Sequence, residues 1–248
     1  MVRLRKTLRE AFYIGLFDAL PVLRDPILLA FLGLISFIPV IFMFVLVPGN
    51  FAIQALVGTV ALTLSFTGIL ASQSIYYNKH VMRYQDMLVA SKVTPTSYML
   101  GLSMGTIIIS IPALALSFGL LLILKPIGPL DFLLSLLSML TLWIAMVFVG
   151  FIIGSSTKNV RRANSVPQIV SFMLGFIPPV YYPLSALPPA AQPFALLIPT
   201  THAAQLAKYY FGLVSMSSID IAISWVYLIV FAVLMALLSL RRARWVDP

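Results

Sequence analysis

The sequence predicts an all-α integral membrane protein. Of its 248 residues, 61% are hydrophobic and only 9% are charged, and the mean hydropathy is +1.04. These values exclude an ordinary soluble domain. The apolar residues also fall into long runs, and a helix needs about 20 of them to cross a hydrocarbon core. Backbone groups in lipid must hydrogen-bond within the protein, and runs this long and this apolar favour helices over barrel strands.

Six runs are long enough to predict transmembrane helices, at 27–47, 51–76, 97–124, 132–153, 166–182 and 219–240. The fifth run is the shortest and contains Pro178 and Pro179, so we expect its outer end to be broken. Of the 16 Lys and Arg residues, all except Lys125 and Lys208 fall on one side of these spans. The positive-inside rule makes that side cytoplasmic, with both termini there, and predicts a multi-pass protein of the cell membrane.

The net charge of +9 is explained by anionic lipid of the inner leaflet and predicts no nucleic-acid partner. Residues 1–25 are not predicted to be a cleaved signal peptide, because Asp18, Arg24 and Asp25 interrupt any apolar core. A large apolar residue recurs there at every fourth position, at Leu4, Leu8, Phe12, Leu16 and Leu20. This pattern favours an amphipathic helix in the cytoplasmic interface, and a soluble cytoplasmic helix is the alternative.

A short polar helix is predicted at 81–91, between two apolar runs and ahead of Pro95. Val81, Tyr84 and Leu88 share one face, which could dock into a groove on a soluble protein. The alternative is an ordinary charged cytoplasmic loop. The candidate contact residues are Met82, Arg83, Tyr84, Asp86, Met87 and Leu88.

Polar and small side chains form stripes along the second and fifth runs. The first stripe contains Thr59, Thr63, Thr67 and Ser74, and the second contains Asn164, Gln168, Ser171 and Gly175. Such stripes allow helices to pack closely in lipid, or they line a substrate path. Glutamines are more costly to bury and therefore favour a cavity. The pathway candidates are Thr63, Thr67, Gln73, Gln168 and Ser171.

The segment 183–211 is too apolar for a free loop and too rich in proline for a full span. Two short helices that dip back into the outer leaflet fit it best, provided that protein covers their irregular backbone. The candidate residues of this re-entrant segment are Pro183, Leu184, Leu187, Pro188, Pro199 and His202. A lone histidine predicts a hydrogen-bonded structural residue, and no metal site is predicted.

Several kinds of site are absent from the sequence. It lacks the glycine loop G-x-x-x-x-G-K-[ST], so this chain cannot bind ATP in that way. No predicted span has an acidic residue in its middle, which argues against an ion-coupled carrier. It also lacks the acidic cluster that a metal-dependent phospholipid transferase needs. We therefore predict no enzyme activity and no cofactor in this chain.

Three stretches carry a family resemblance. They are LRDP at 23–26, MLVASKVTPTSYMLG at 87–101 and PLSALPPAAQPFALLIPTTHAAQLAK at 183–208. Together they resemble the membrane subunit of type-2 ATP-binding-cassette exporters, over nearly the whole chain. Two features depart from the family pattern. Gln85 and Asp86 stand where a glycine and a glutamate are usual, and Lys92-Val93-Thr94 replaces a shorter serine-proline step.

The resemblance implies a permease of two six-span subunits, the second being another copy or a paralogous chain. Separate ATP-binding-cassette ATPase subunits would bind ATP and Mg and drive the coupling helix at 81–91. The second and fifth spans would then face a path for a drug, lipid, glycan precursor or other amphipathic substrate. The alternatives are a self-sufficient secondary transporter or channel and, more remotely, a membrane enzyme of lipid metabolism.

Overall fold

The computed structural model describes residues 2–46, 51–91 and 93–242, and these residues form helices and no strand. A 3-10 turn covers Leu184–Ala186. The α-helices are α1 (Val2–Leu23), α2 (Pro26–Leu46), α3 (Phe51–His80), α4 (Tyr84–Ala90), α5 (Pro95–Leu124), α6 (Pro129–Ser156), α7 (Val160–Phe176), α8 (Gln192–Ala195), α9 (Pro199–Tyr210) and α10 (Ser218–Arg242). The all-helical fold class is confirmed.

Four helices of the described ranges are long and apolar enough to cross a membrane, through Ile53–His80, Ser97–Leu124, Pro129–Ser156 and Ser218–Ser239. They match the second, third, fourth and sixth predicted runs. Helix α2 matches the first run, whose last residue lies outside the described residues. The count of six spans therefore stays a prediction.

Helix α7 is displaced from the predicted fifth span at 166–182. It begins at Val160 because the side chain of Asn159 caps it, accepting a hydrogen bond of 2.8 Å from the Arg161 amide. It ends at Phe176, shortly before Pro178 and Pro179, which cannot donate backbone hydrogen bonds to a continuing helix. The break was predicted, but it comes earlier than expected.

Helix α3 lies at the centre and packs against α2, α5, α6, α7 and α9. Its crossing with α6 is close because glycines face each other. A Cβ added at Gly150 would lie 2.8 Å from the Gly68 carbonyl oxygen, and one at Gly154 would lie 2.9 Å from that of Ser72. Small residues allow this close approach. The resulting van der Waals contacts stabilise the crossing, because the hydrophobic effect does not drive helices together in lipid.

Helix α1 packs along α5 through a second set of small residues. Ala11 and Ala19 are fully buried, and a Cβ at Gly15 would lie 2.6 Å from the Gly101 carbonyl oxygen. Large apolar side chains of α1, including Leu8 and Phe12, remain exposed, as an interfacial helix requires. One face of α1 therefore packs on the bundle, and another face is apolar and exposed.

The helix ends define two ends of the bundle. The last turns of α3 and α6 meet the first turns of α5 and α7 at the end where most Lys and Arg residues lie, called here the basic end. There Asn78 contacts Tyr98, and Asn164 contacts Tyr77. The segment 177–217 forms the other end, called here the proline-rich end. Within it, α9 packs against α3, α6 and α10, and its residues 199–208 are all buried.

Candidate functional site

The connection between α3 and α4 is a tight turn at the basic end. The amides of Val81 and Met82 both donate to the Tyr77 carbonyl, and Arg83 has a φ of 51°. This left-handed conformation is uncommon for a residue with a side chain, and it redirects the chain into α4. The turn places α4 beside α1 rather than in line with α3.

One face of α4 packs onto the protein itself. The Tyr84 ring stacks on Phe17 of α1 with centroids 5.2 Å apart. Leu88 is only 8% exposed and belongs to a cluster that includes Ile14 and Leu102. Leu88 is thus buried within this chain, and its contact with a partner stays a prediction.

The opposite edge of α4 and its turn is free of such packing. Met82 is 67% exposed, Met87 is 66% exposed, and Arg83 is also exposed. The side chain of Asp86 lies outside the described side chains. Two flexible methionines beside a cation form a surface that a protein partner can contact, because thioether side chains adapt to irregular surfaces.

Acidic side chains of α1 connect this region to the bundle. Asp18 accepts a hydrogen bond from the Ser74 hydroxyl of α3 (3.3 Å), and Glu10 accepts one from the Ser97 hydroxyl of α5 (2.8 Å). Burial raises the pKa of Asp18 to about 6, although the hydrogen bond from Ser74 opposes that rise. These two hydrogen bonds join α1 to both α3 and α5.

Thr63 and Thr67, two of the pathway candidates of α3, lie beside a small apolar cavity. Thr67 donates to the Thr63 carbonyl (2.7 Å) and accepts from the Ser110 hydroxyl of α5 (2.9 Å). The cavity next to them measures about 180 Å³, and Phe172 and Phe176 of α7 close it. The hydroxyls of Thr67 and Ser110 are thus engaged in helix packing, and the cavity wall is mainly aromatic and aliphatic.

The other three pathway candidates are not brought together. Gln73 donates to the Asn164 carbonyl of α7 at 3.5 Å, near the basic end. Gln168 is exposed, whereas Ser171 is fully buried and its hydroxyl has no partner among the described residues. The exposed side of α7 is strongly apolar and includes Ile169, Phe172, Met173 and Phe176.

The proline-rich end is organised by two buried polar residues of α9. The His202 ring forms hydrogen bonds with the Ser224 hydroxyl (3.1 Å) and the Leu196 carbonyl (2.8 Å) and stacks on Tyr227. Lys208 is 0% exposed and donates to the carbonyls of Pro179 (2.9 Å) and Tyr182 (2.6 Å). The predicted structural role of His202 fits these contacts.

Of the other predicted residues of this segment, Leu184 belongs to the 3-10 turn, and Pro183 and Leu187 flank that turn. Pro188 is exposed in the following connection, and Pro199 is buried at the first position of α9. Proline is suited to that position, because the missing amide would have no helical partner there.

A comparison with protein families decides the assignment. The family model described as "ABC-2 family transporter protein" matches residues 48–241. The chain belongs to the ABC-2 transporter family. Among curated proteins, none matches this sequence.

Membership in the ABC-2 family makes this chain a multi-pass membrane protein and the permease component of an ABC transporter. A permease component is not itself catalytic, and its family implies an ATPase partner. The resemblance seen in the sequence is thereby confirmed at the level of the family.

Sequence reasoning did not find the buried contacts of Lys208 and Asp18. A lone cation in an apolar segment could have pointed to Lys208. An acidic residue in a helix otherwise rich in large apolar residues could have pointed to Asp18. Gln54 and Gln205, which line one cavity at the proline-rich end, left no signal in the sequence, because only the fold brings α3 and α9 together.

Proposed function

We propose that this ABC-2 permease is one half of an ATP-driven exporter with six spans, α2 and α7 included, and with both termini in the cytoplasm. The ATPase subunit contacts the exposed edge of α4, at Met82, Arg83 and Met87. The observation that carries this proposal is the two-sided packing of α4, with one face anchored and the other edge exposed at the basic end.

The anchored face of α4 is suited to transmit movement. Tyr84 stacks on Phe17, and Leu88 lies in one cluster with Val147 and Phe151 of α6. A displacement of α4 by the partner would therefore act on α1 directly, and on α5 and α6 through the shared cluster. Packed side chains pass on such displacements because protein interiors have low compressibility.

The exposed apolar side of α7 is the surface that we assign to a second permease copy or a paralogous subunit. Phe172 and Phe176 lie on this side and also close the cavity beside Thr63 and Thr67. The substrate path would then run between the two subunits. Its aromatic and aliphatic walls favour an amphipathic substrate, such as a drug, a lipid or a lipid-linked glycan precursor.

The test replaces Met87 by aspartate, with Val160→Asp as the matched control. Both residues are exposed apolar residues at the basic end, so neither change buries a charge. The tagged chain is purified from its native membranes together with the ATPase that copurifies. We expect Met87→Asp to reduce ATPase recovery and its stimulation by about tenfold, which corresponds to about 1.4 kcal/mol of binding.

The Val160→Asp complex should behave as the unsubstituted one, and both variants should keep the same thermal midpoint. Normal ATPase recovery and stimulation with Met87→Asp would show that α4 is not the contact. Transport by the reconstituted chain in the absence of any ATPase would instead establish a secondary transporter or channel.

A further inference from the structure

A cavity lies at the basic end, where α6 ends and α7 begins. It measures about 420 Å³. Its wall comes from the last two turns of α6, the connection 157–159 and the first two turns of α7. It shares no lining residue with the cavity beside Thr63 and Thr67, and none with the exposed edge of α4.

Three exposed side chains of this wall carry hydrogen-bond donors. Lys158 and Arg162 bring positive charges, and Asn159 brings a carboxamide. The Oδ1 atom of Asn159 accepts from the Arg161 amide, which leaves its Nδ2 donor for another acceptor. Within the described part of the chain, neither cation has a carboxylate in ion-pair range. The wall therefore offers donors and charge to a ligand that can accept.

Helix geometry places the polar groups of α7 side by side. Asn159 caps this helix and Arg162 is its third residue, and side chains at these two positions face each other across the first turn. Val166 follows Arg162 by four residues, so it lies on the same face about 6 Å further along the helix. On α6, Ile152 precedes Ser156 by the same spacing.

Both walls of the cavity therefore change from polar to apolar in the same direction. The polar groups lie at the basic end, and Ile152, Ile153 and Val166 lie about one turn further into the bundle. A phospholipid at a membrane surface has the same order, with its phosphate outside its acyl chains. This match favours a lipid over a soluble phosphate compound, which has no chain to cover the apolar part of the wall.

The charge of the cavity selects an anionic headgroup. Two cations line it, and no carboxylate does within the ranges that the structure describes. Hydrogen bonds from charged donors to a phosphate are stronger than those between neutral groups. A phosphocholine headgroup also carries a cation, which would find no anionic partner here and would be repelled by Lys158 and Arg162.

We propose that this cavity binds the headgroup of an anionic phospholipid. The phosphate lies against Arg162 and Asn159, Lys158 adds a second positive charge, and the acyl chains begin over Ile152 and Val166. Basic pockets between membrane helices bind anionic headgroups in this way. The inference rests on the cavity and on membrane residence, and it is independent of the ATPase contact and the transport activity proposed above.

The test uses the full chain in phosphatidylcholine nanodiscs that contain a trace of phosphatidylglycerol with a photoreactive diazirine near the top of one acyl chain. Crosslinked peptides are identified by mass spectrometry. We expect saturable labelling within 152–166 despite the excess of phosphatidylcholine. Unlabelled phosphatidylglycerol should displace the probe, whereas soluble glycerol phosphate should not.

Arg162→Gln and Lys158→Gln should each weaken labelling about fivefold, the effect of one cation near an anionic lipid. Arg161→Gln is the matched control, because Arg161 is also exposed and carries the same charge but does not line the cavity. It should leave labelling unchanged. All three variants should keep the thermal midpoint of the unsubstituted chain, since each replaces an exposed side chain.

Equal labelling of the Arg162→Gln and Arg161→Gln chains would overturn the proposal, because general attraction to the basic end would then explain the signal. Displacement by glycerol phosphate would also overturn it, by identifying a soluble phosphate as the ligand. A third contradicting result would be a loss of ATPase recovery in Arg162→Gln with labelling unchanged, which would assign the cavity to the protein partner.

Discussion

Lys208 joins α9 to the irregular chain that follows α7. Its ammonium group donates to two backbone carbonyls that no helix can satisfy, those of Pro179 and Tyr182. Bonds from a charged donor are stronger than those between neutral groups. One side chain therefore supplies hydrogen-bond donors to two carbonyls that lie outside any helix.

Replacing Lys208 by methionine should lower the thermal midpoint in detergent by about 4–8 °C. Methionine fills similar space but leaves both carbonyls without a donor, a loss of about 2 kcal/mol. Lys125→Met is the matched control, because Lys125 is exposed and its loss should change stability by about 0.5 kcal/mol or less. Equal midpoints for the two variants would mean that Lys208 does not hold this segment.

At the scale of helices, apolar runs were enough to predict α3, α5, α6 and α10. Their residues face lipid or apolar neighbours along most of their length, so composition alone carries the signal. The bounds of α7 were less predictable, since a cap at Asn159 and the position of the proline break set them. The packing face of α1 was missed, because alanine and glycine give little periodic signal.

The crossing of α1 and α5 should depend on the absence of a side chain at Gly101. A Cβ there would lie 2.6 Å from the Cβ of Ile14, so Gly101→Ala should push α1 away and lower the thermal midpoint. Gly119→Ala in the same helix is the control, since nothing lies within 4 Å of its added Cβ. That change should be neutral or stabilising by up to about 1 kcal/mol.

A cysteine at Ala19, which is fully buried, reports the position of α1 in this cysteine-free chain. It should react with a maleimide faster in the Gly101→Ala background than in the Gly119→Ala background. Identical rates and midpoints in the two backgrounds would show that α1 does not depend on this close contact.

At the scale of the whole molecule, the sequence indicated the family, but it did not indicate which surfaces are exposed to a partner or a substrate. The apolar face of α4 was predicted at Val81, Tyr84 and Leu88, but periodicity reveals an apolar face without saying which neighbour covers it. The pathway residues were grouped by spacing, yet Gln168 and Ser171 differ in burial. Gln54 of α3 and Gln205 of α9 line one cavity at the proline-rich end although they lie far apart in sequence, and only the fold brings these two helices together.

The purified chain should hydrolyse no ATP on its own. It lacks the glycine loop that cradles phosphates, and its family supplies a permease component. We expect phosphate release at the level of a mock preparation, with activity appearing only when the copurifying ATPase is added back. Sustained hydrolysis by the chain after a second chromatographic step, free of other proteins, would contradict this prediction.

The docking of α1 on α5 has a consequence for how the protein is made. Helix α1 leaves the ribosome first, but Glu10 and its partner Ser97 are 87 positions apart. Throughout that stretch of translation the face of α1 that packs on α5 has no partner. Its exposed Leu8, Phe12 and Phe17 allow it to rest on the membrane surface meanwhile. The amphipathic pattern thus serves the nascent chain before it serves the finished bundle, since α1 can pack onto α5 only after α5 has been made.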